Sequence, residues 1–351
     1  MSPPEAYKPR PARPPVTRSR VLAWSAGLAG LLGLVLLLGA NLGAGGVTLL
    51  DALRGGRLDA ADAAILFEVR LPRVLLAAVL GGTLTVAGIV FQALLRNPLA
   101  DPYVLGVSGG ASVGAVIALL LGLGGGNAWA GGLGVPALAF AGALGSLLLL
   151  ARLGSIAGKL NVYTVLLTGA VFNALSAALI FFLQSIASFE ELHAIVFRLM
   201  GQVPAAGYST VGLLAAACGA GVLALIFLAR DYNALSLGEE AAAQLGVDVA
   251  RVQRWTLILG SLLTGLAVSV AGLVGFVGLV VPHLLRLVLG PDHRLLLPAG
   301  FLGGAAFLVA ADLVARVAAA PNEIPVGVVT ALVGGPFFLF LLRRRGEHGA
   351  G

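Results

Sequence analysis

Few side chains in this chain of 351 residues have the types and spacing that do chemistry. Four histidines (His193, His283, His293 and His348) stand apart, without metal-ligand spacing. The single cysteine, Cys218, lies inside an apolar run, which excludes an internal disulfide and a cysteine-built metal cluster. The nearest match to a phosphate loop, 154-GSIAGKL-160, has three residues between its glycines where four are needed. Leu160 also stands where a serine or threonine would hold magnesium. No catalytic residue, metal ligand or cofactor-binding residue is expected in this chain.

What remains is a set of polar groups set into apolar runs, where an ionised side chain costs about 2.5–3.5 kcal/mol. Asp312 is the clearest acid of this kind, and Arg316 follows it by four residues, within pairing reach on one helix face. The two read either as an ion-pair anchor that snorkels to water or as a functional site. Gln92, Asn173 and Gln184 read either as lining for a pathway or as bonds between helices. His283, after Pro282, reads as an interfacial histidine. The stretch 68-EVRLPRVLLAAVLGG-82 places Arg70 and Arg73 at the head of a long apolar run.

These groups must be positioned by elements suited to lipid. The composition is 59% hydrophobic and 11% charged, with a mean hydropathy of +1.00. A water-soluble domain carries about 25% charged residues. Apolar runs of about 20 residues predict an all-α polytopic membrane protein rather than a barrel of short alternating strands. The runs fall at 21–43, 72–95, 103–123, 130–152, 163–187, 209–229, 254–273, 276–290, 295–317 and 324–342. Ten spans put both termini on one side. The run 276–290 is short, and Gly272, Gly275 and Gly278 interrupt the helix before it. Fifty glycines suit close helix packing.

Residues 1–20, basic and proline-rich, are expected to be a disordered tail, and 343–351 a second tail beyond a single transmembrane domain over 21–342. With the N-terminus inside, sixteen of the 22 Lys and Arg fall on the cytoplasmic side. The pI near 10.1 is therefore a topology signal and not a nucleic-acid footprint. Arg70, Arg73 and Arg316 then face outward, against the bias.

Three connections have character. Asn97-Pro98 and Asp101-Pro102 predict tight turns in 96-RNPLADPYVLG-106. Segment 188-SFEELHAIVFRLMGQVPAAG-207 is too polar to span and predicts a short amphipathic helix on the outer surface. In 230-RDYNALSLGEEAAAQLGVDVARVQR-254, Ser236 and Glu239 have capping-box spacing, and Gly246 sits where a left-handed cap would close a helix of about nine residues. A helix so short is marginal alone in water, so something must pack against it.

Taken together, 70-RLPR-73, 88-GIVFQALLRNPLADPYVLGVSGGA-111, 235-LSLGEEAAAQLGV-247, 272-GLVGFVGLVVPHLLRL-287, 292-DHRLLLPAG-300 and 311-ADLVARVAAAPNEIPVGVVTALVGGPFF-338 make the chain resemble the FecCD-type permeases of ABC importers. The resemblance runs from about residue 65 to 342, in the family's order. It implies ten spans per subunit, a homodimer around a central pathway, and two cytoplasmic ATPase subunits that hold ATP-Mg. It also implies an extracytoplasmic binding protein that docks on Arg70, Arg73 and Arg316. By the same resemblance, coupling to the ATPase falls to residues 236–250, with Ser236, Gly238, Glu239, Glu240, Gln244, Leu245 and Gly246. The cytoplasmic gate falls to Asn97, Leu99, Val162 and Tyr163. The implied setting is a prokaryotic inner membrane with both termini cytoplasmic, and the implied cargo is a metal chelate. Iron–siderophore or haem is favoured over cobalamin, because the cobalamin importer has small hydroxyl residues where this chain has Val162-Tyr163. The alternative is an ion-coupled secondary transporter working alone.

Overall fold

Backbone in hydrocarbon must satisfy its own hydrogen bonds, and a helix does so within one segment. The protein, seen in a computed structural model that describes residues 17–43, 59–124, 133–156 and 159–349, is helical along most of that length. Its helices are α1 (Arg18–Asn41), α2 (Ala60–Leu94), α3 (Val107–Leu120), α4 (Gly134–Leu153), α5 (Val162–Ile186), α6 (Phe189–Leu199) and α7 (Tyr208–Phe227). They continue with α8 (Ala229–Leu235), α9 (Glu239–Gln244), α10 (Val249–Ala271), α11 (Val277–Leu289), α12 (His293–Val317) and α13 (Val326–Gly349). Ser155–Ile156 pairs antiparallel with Lys159–Leu160 in the α4–α5 connection.

Each of the ten apolar runs is a helix. Seven are long and apolar enough to cross a membrane, while α3, α11 and the Val326–Phe340 part of α13 are shorter. Residues 1–16 lie outside the described part, but Thr17 accepts a hydrogen bond from the Arg20 amide and so draws Arg18 and Arg20 into the first turn of α1. At the other end α13 continues to Gly349, past the expected boundary at 343.

The bundle is built around α2, whose residues Leu80 to Leu94 are all buried. It packs against α12, α10, α11, α7 and α1, while α3 packs on α4 and α5. Where α2 crosses α11, a methyl group on Gly88 would overlap the Gly278 carbonyl, so only glycine allows that approach.

Between α10 and α11 the chain leaves the helix, with Gly272 at φ 71° and Phe276 at φ 66°. Protein covers this irregular backbone. Tyr103 Oη donates to the Val274 carbonyl at 3.0 Å and accepts from the Val274 amide at 3.1 Å. Arg198, from α6, donates to the Ser269 and Val270 carbonyls at the end of α10. The predicted amphipathic helix is thus real, and it starts with a full capping box between Ser188 and Glu191.

The expected capping box at Ser236 does not form. Ser236 has helical backbone (φ −64°, ψ −19°) and ends α8, its hydroxyl donating to the Asn233 carbonyl at 2.6 Å. An N-cap needs extended backbone. Gly238, at φ 110°, precedes α9 instead, so the expected helix starts later and is six residues long, and a second short helix, α8, lies before it. Gly246 does take the left-handed conformation, at φ 84°.

Candidate functional site

At the end where the Leu71–Leu94 part of α2 begins, two arginines, Arg73 and Arg316, converge on one acid, and Arg70 lies at the same end, against α1. Arg73 donates from Nε and Nη2 to Asp312 Oδ1 at 3.1 and 3.0 Å, and from Nη1 to Glu323 at 2.7 Å. Arg316 donates from Nε to Asp312 Oδ2 at 3.0 Å, and from Nη2 to the Gly39 carbonyl at 2.9 Å. Arg70 donates to the Ala40 carbonyl at 3.1 Å. The last carbonyls of α1 have no partner within their own helix, so Arg70 and Arg316 finish it. Arg70 is 5% and Arg316 7% exposed, and Asp312 is fully buried. The more open part of the cluster is Arg73 with the exposed Glu323.

At the opposite end, α8 is tied to the start of α12. Asn233 donates to Asp292 at 2.8 Å, and its carbonyl oxygen accepts from the His293 amide at 2.9 Å and Nδ1 at 2.8 Å. Arg294 donates to the same acid at 2.6 Å. Partial burial raises the Asp292 pKa, but the hydrogen bonds from Arg294 and Asn233 outweigh it and bring the carboxyl down to about 2. Tyr232, also in α8, is buried and bonded to Thr256 of α10 at 2.8 Å. From this anchored base α9 projects. Ala242 is buried beneath it, while Glu240, Gln244 and Gly246 are exposed, as are Leu237 (68%) and Leu245 (66%). Glu239 pairs with Arg96 at 2.7 Å, both side chains partly exposed.

The turn after α2 lies nearby. Asn97 Oδ1 accepts from the Leu99 amide at 2.9 Å, and Gln92 Nε2 donates to the Ala100 carbonyl at 3.2 Å and that of Gly278 at 3.3 Å. Gln92 Oε1 accepts from Arg286 at 2.5 Å, so Gln92 bonds helices together. Pro98 and Leu99 face Leu279, Val280, Phe337 and Phe338 across a narrow apolar gap. Val162 and Tyr163 begin α5, with Tyr163 87% exposed.

Between the two ends a cavity of about 410 Å³ opens beside α5. Its polar wall is made by Asp101, Tyr103, Ser108, Ser112, Asn173 and Ser176. Asn173 lines this cavity and donates to the Tyr103 carbonyl at 2.9 Å. Gln184 lies half-buried in the last turn of α5, away from that wall. The run 106-GVSGG-110 has the spacing of a hydrolase nucleophile elbow, but a 3₁₀ turn precedes it where the elbow needs a strand. Sequence reasoning missed Arg96, Tyr103 and Asn233. Only the Asn97-Pro98 turn beside Arg96 pointed that way.

A bundle of long apolar helices, with a break between α10 and α11 and a mainly apolar cavity that opens beside α5, suits a membrane transport permease. The comparisons agree. The chain belongs to the FecCD transport family, whose model matches residues 29–344, and its function is that of an ABC-transporter permease. It is 44% identical to the cobalamin import system permease of Halobacterium salinarum, over 80% of this chain and 74% of that one. It is 41% identical to the hemin transport system permease of Yersinia pestis, over 82% and 85%. A solved structure described as an inward-facing, metal-chelate type ABC transporter aligns with a TM-score of 0.79 at 31% identity, covering 92% of this chain and 99% of that one.

Proposed function

We propose that this chain is the membrane-spanning subunit of a binding-protein-dependent ABC importer for a metal chelate, working as a homodimer. Two separate ATPase subunits hold ATP-Mg and hydrolyse it, and this chain supplies the pathway and the docking charges. The observation that carries the reading is the division of labour along the bundle. An arginine cluster closes one end and the projecting α8–α9 pair, with its exposed leucines, marks the other.

The α8–α9 end faces the cytosol, with both termini. Arg96, Arg230, Arg251, Arg254, Arg286 and Arg294 gather there, which supports that side by the positive-inside rule. The ATPase engages Ser236, Gly238, Glu239, Glu240, Gln244, Leu245 and Gly246. The opposite end receives the binding protein. Arg73 and Glu323 form the contact surface there, while Arg70 and Arg316 hold the mouth in shape and add positive potential. Asn97 and Leu99, with Val162 and Tyr163, form the inner gate. The open face of α5, carrying Leu167, Val171, Leu175 and Phe182, is where the second copy closes the pathway.

The cargo is a metal-centred chelate of the size of haem, a ferric siderophore or cobalamin. The two relatives named for cobalamin and hemin support that class. ATP closes the ATPases, α9 moves with them, and the cavity changes the side to which it opens. An ion-coupled carrier would need a titratable group free at mid-depth, whereas Asp312 is held by two arginines.

The test is uptake into proteoliposomes containing the permease, its ATPase and binding protein, with radiolabelled cyanocobalamin, haemin and ferric siderophore offered in turn. ATP-dependent accumulation of one of them is expected. Accumulation driven by a proton or sodium gradient without the ATPase would refute the reading.

A further inference from the structure

Arg96 ends α2 in a conformation that suits glycine. Its φ is 47°, its amide bonds to the Ala93 carbonyl at 3.2 Å, and the next amide, of Asn97, reaches back to the Gln92 carbonyl at 3.1 Å. That is a Schellman cap with arginine at the left-handed position, where a Cβ crowds the following carbonyl. Elsewhere among the described residues the chain puts glycine at seven such positions and a second non-glycine only at Phe276. An arginine held where glycine fits better raises the question of what its side chain does.

The guanidinium Nη2 donates to Glu239 Oε1 at 2.7 Å. Glu239 is the first residue of α9, and Gly238, at φ 110°, turns the chain into it. The far side of Arg96 is stiff. The Ala100 amide bonds to the Asn97 carbonyl at 3.1 Å, and the Ala100 carbonyl is held by Gln92. The Pro98 and Leu99 side chains between them lie in the apolar gap against α11 and α13. A displacement of α9 therefore reaches the Asn97–Ala100 turn through one ion pair and one rigid cap.

We infer that Arg96 and Glu239 form a strut that carries the movement of α9 to the Asn97–Ala100 turn. Both are positioning residues, and the inference rests on the importer reading. It adds a specific mechanical link to that reading, between a residue of the turn and a residue of the projecting helix.

The experiment measures uptake per ATP hydrolysed by the full complex in proteoliposomes, with the same three labelled chelates as probes. Arg96→Glu and Glu239→Arg are each expected to lower that ratio about two- to fivefold, the effect an exposed pair can support. The double variant R96E/E239R is expected to recover most of it. Arg96→Gly keeps the left-handed cap and removes the side chain that reaches Glu239. It is expected to leave the thermal midpoint of the purified permease unchanged or higher, yet to lose coupling like the reversals. A wild-type ratio in Arg96→Gly, a failure of that variant to fold, or a double variant no better than the worse single one would each overturn the strut. Wild-type uptake that needs no ATP, or no uptake of any probe, would remove the importer reading and the strut with it.

Discussion

Arg73 and Asp312 are joined by two hydrogen bonds, at 3.0 and 3.1 Å, across 239 residues of sequence. They tie the start of the Leu71–Leu94 part of α2 to the last turns of α12, and Arg316 takes the other carboxylate oxygen. Removing one partner of a buried ion pair costs about 3–5 kcal/mol, because the charge left behind is unpaired. Asp312→Ala strands Arg316 and leaves Arg73 to Glu323. Its thermal unfolding in detergent should show a loss of that order, and a midpoint equal to wild type would contradict the assignment.

Docking of the binding protein should separate the arginines. Charge reversal at Arg73 is expected to weaken the complex about fivefold, an effect that shrinks in high salt, and also to lower the unfolding midpoint, because it breaks the pair with buried Asp312. Reversal at Arg70, which is 5% exposed, should weaken docking less and lower the midpoint through the lost bond to the Ala40 carbonyl. Binding measured on detergent-solubilised permease by surface plasmon resonance distinguishes these outcomes. Unchanged affinity for both variants at moderate salt would count against the docking surface.

The crossing of α2 and α11 offers a packing test. Gly88→Ala places a methyl group into the Gly278 carbonyl, and overpacking of this kind costs about 1–3 kcal/mol. Gly145, whose Cβ would meet nothing within 4 Å, is the control. Gly145→Ala should match wild type or gain slightly through helix propensity. Thermal midpoints of the two variants read the contrast.

Acid should loosen the α8–α12 tie in a defined window. The Asp292 carboxyl has a folded pKa of about 2 against an ordinary 3.8. A depressed carboxylate pKa stabilises the fold above the ordinary value and loses that contribution as pH falls through the folded one. Unfolding midpoints should therefore separate wild type from Asp292→Asn at pH 6 and converge between about pH 4 and 2. A constant gap across that range would rule out the carboxylate as the source.

The two serine–glutamate spacings make the last comparison. Ser188→Ala removes a formed capping box and should cost about 1 kcal/mol, whereas Ser236→Ala should stay within about 0.5 kcal/mol. Equal losses would mean that the Ser236 box forms after all.

That pair also shows where sequence reading stops. Ser188 and Ser236 both precede a glutamate by three residues, and only the backbone at the serine decides which one caps. Nothing in the spacing reveals that Gly238 breaks the chain into two helices. The ten spans were legible because lipid leaves a long apolar run little choice but helix. The i,i+4 spacing of Asp312 and Arg316 was legible for the same local reason. Arg73, Glu323 and the carbonyls of α1 were not, since their meeting depends on how α1, α2 and α12 cross. Arg96 stayed hidden because a left-handed arginine has no signature of its own.

The uninterrupted α-helix Leu71–Leu94 carries Arg73 in its first turn and delivers the chain to Arg96 just past its last. At 1.5 Å per residue it is a rod of about 36 Å with almost no capacity to stretch. Tilting is the motion left to it. A nudge at the Arg73–Asp312 pair and a tug at the Arg96–Glu239 pair therefore act on opposite arms of a single lever, pivoting where Gly88 rests on Gly278.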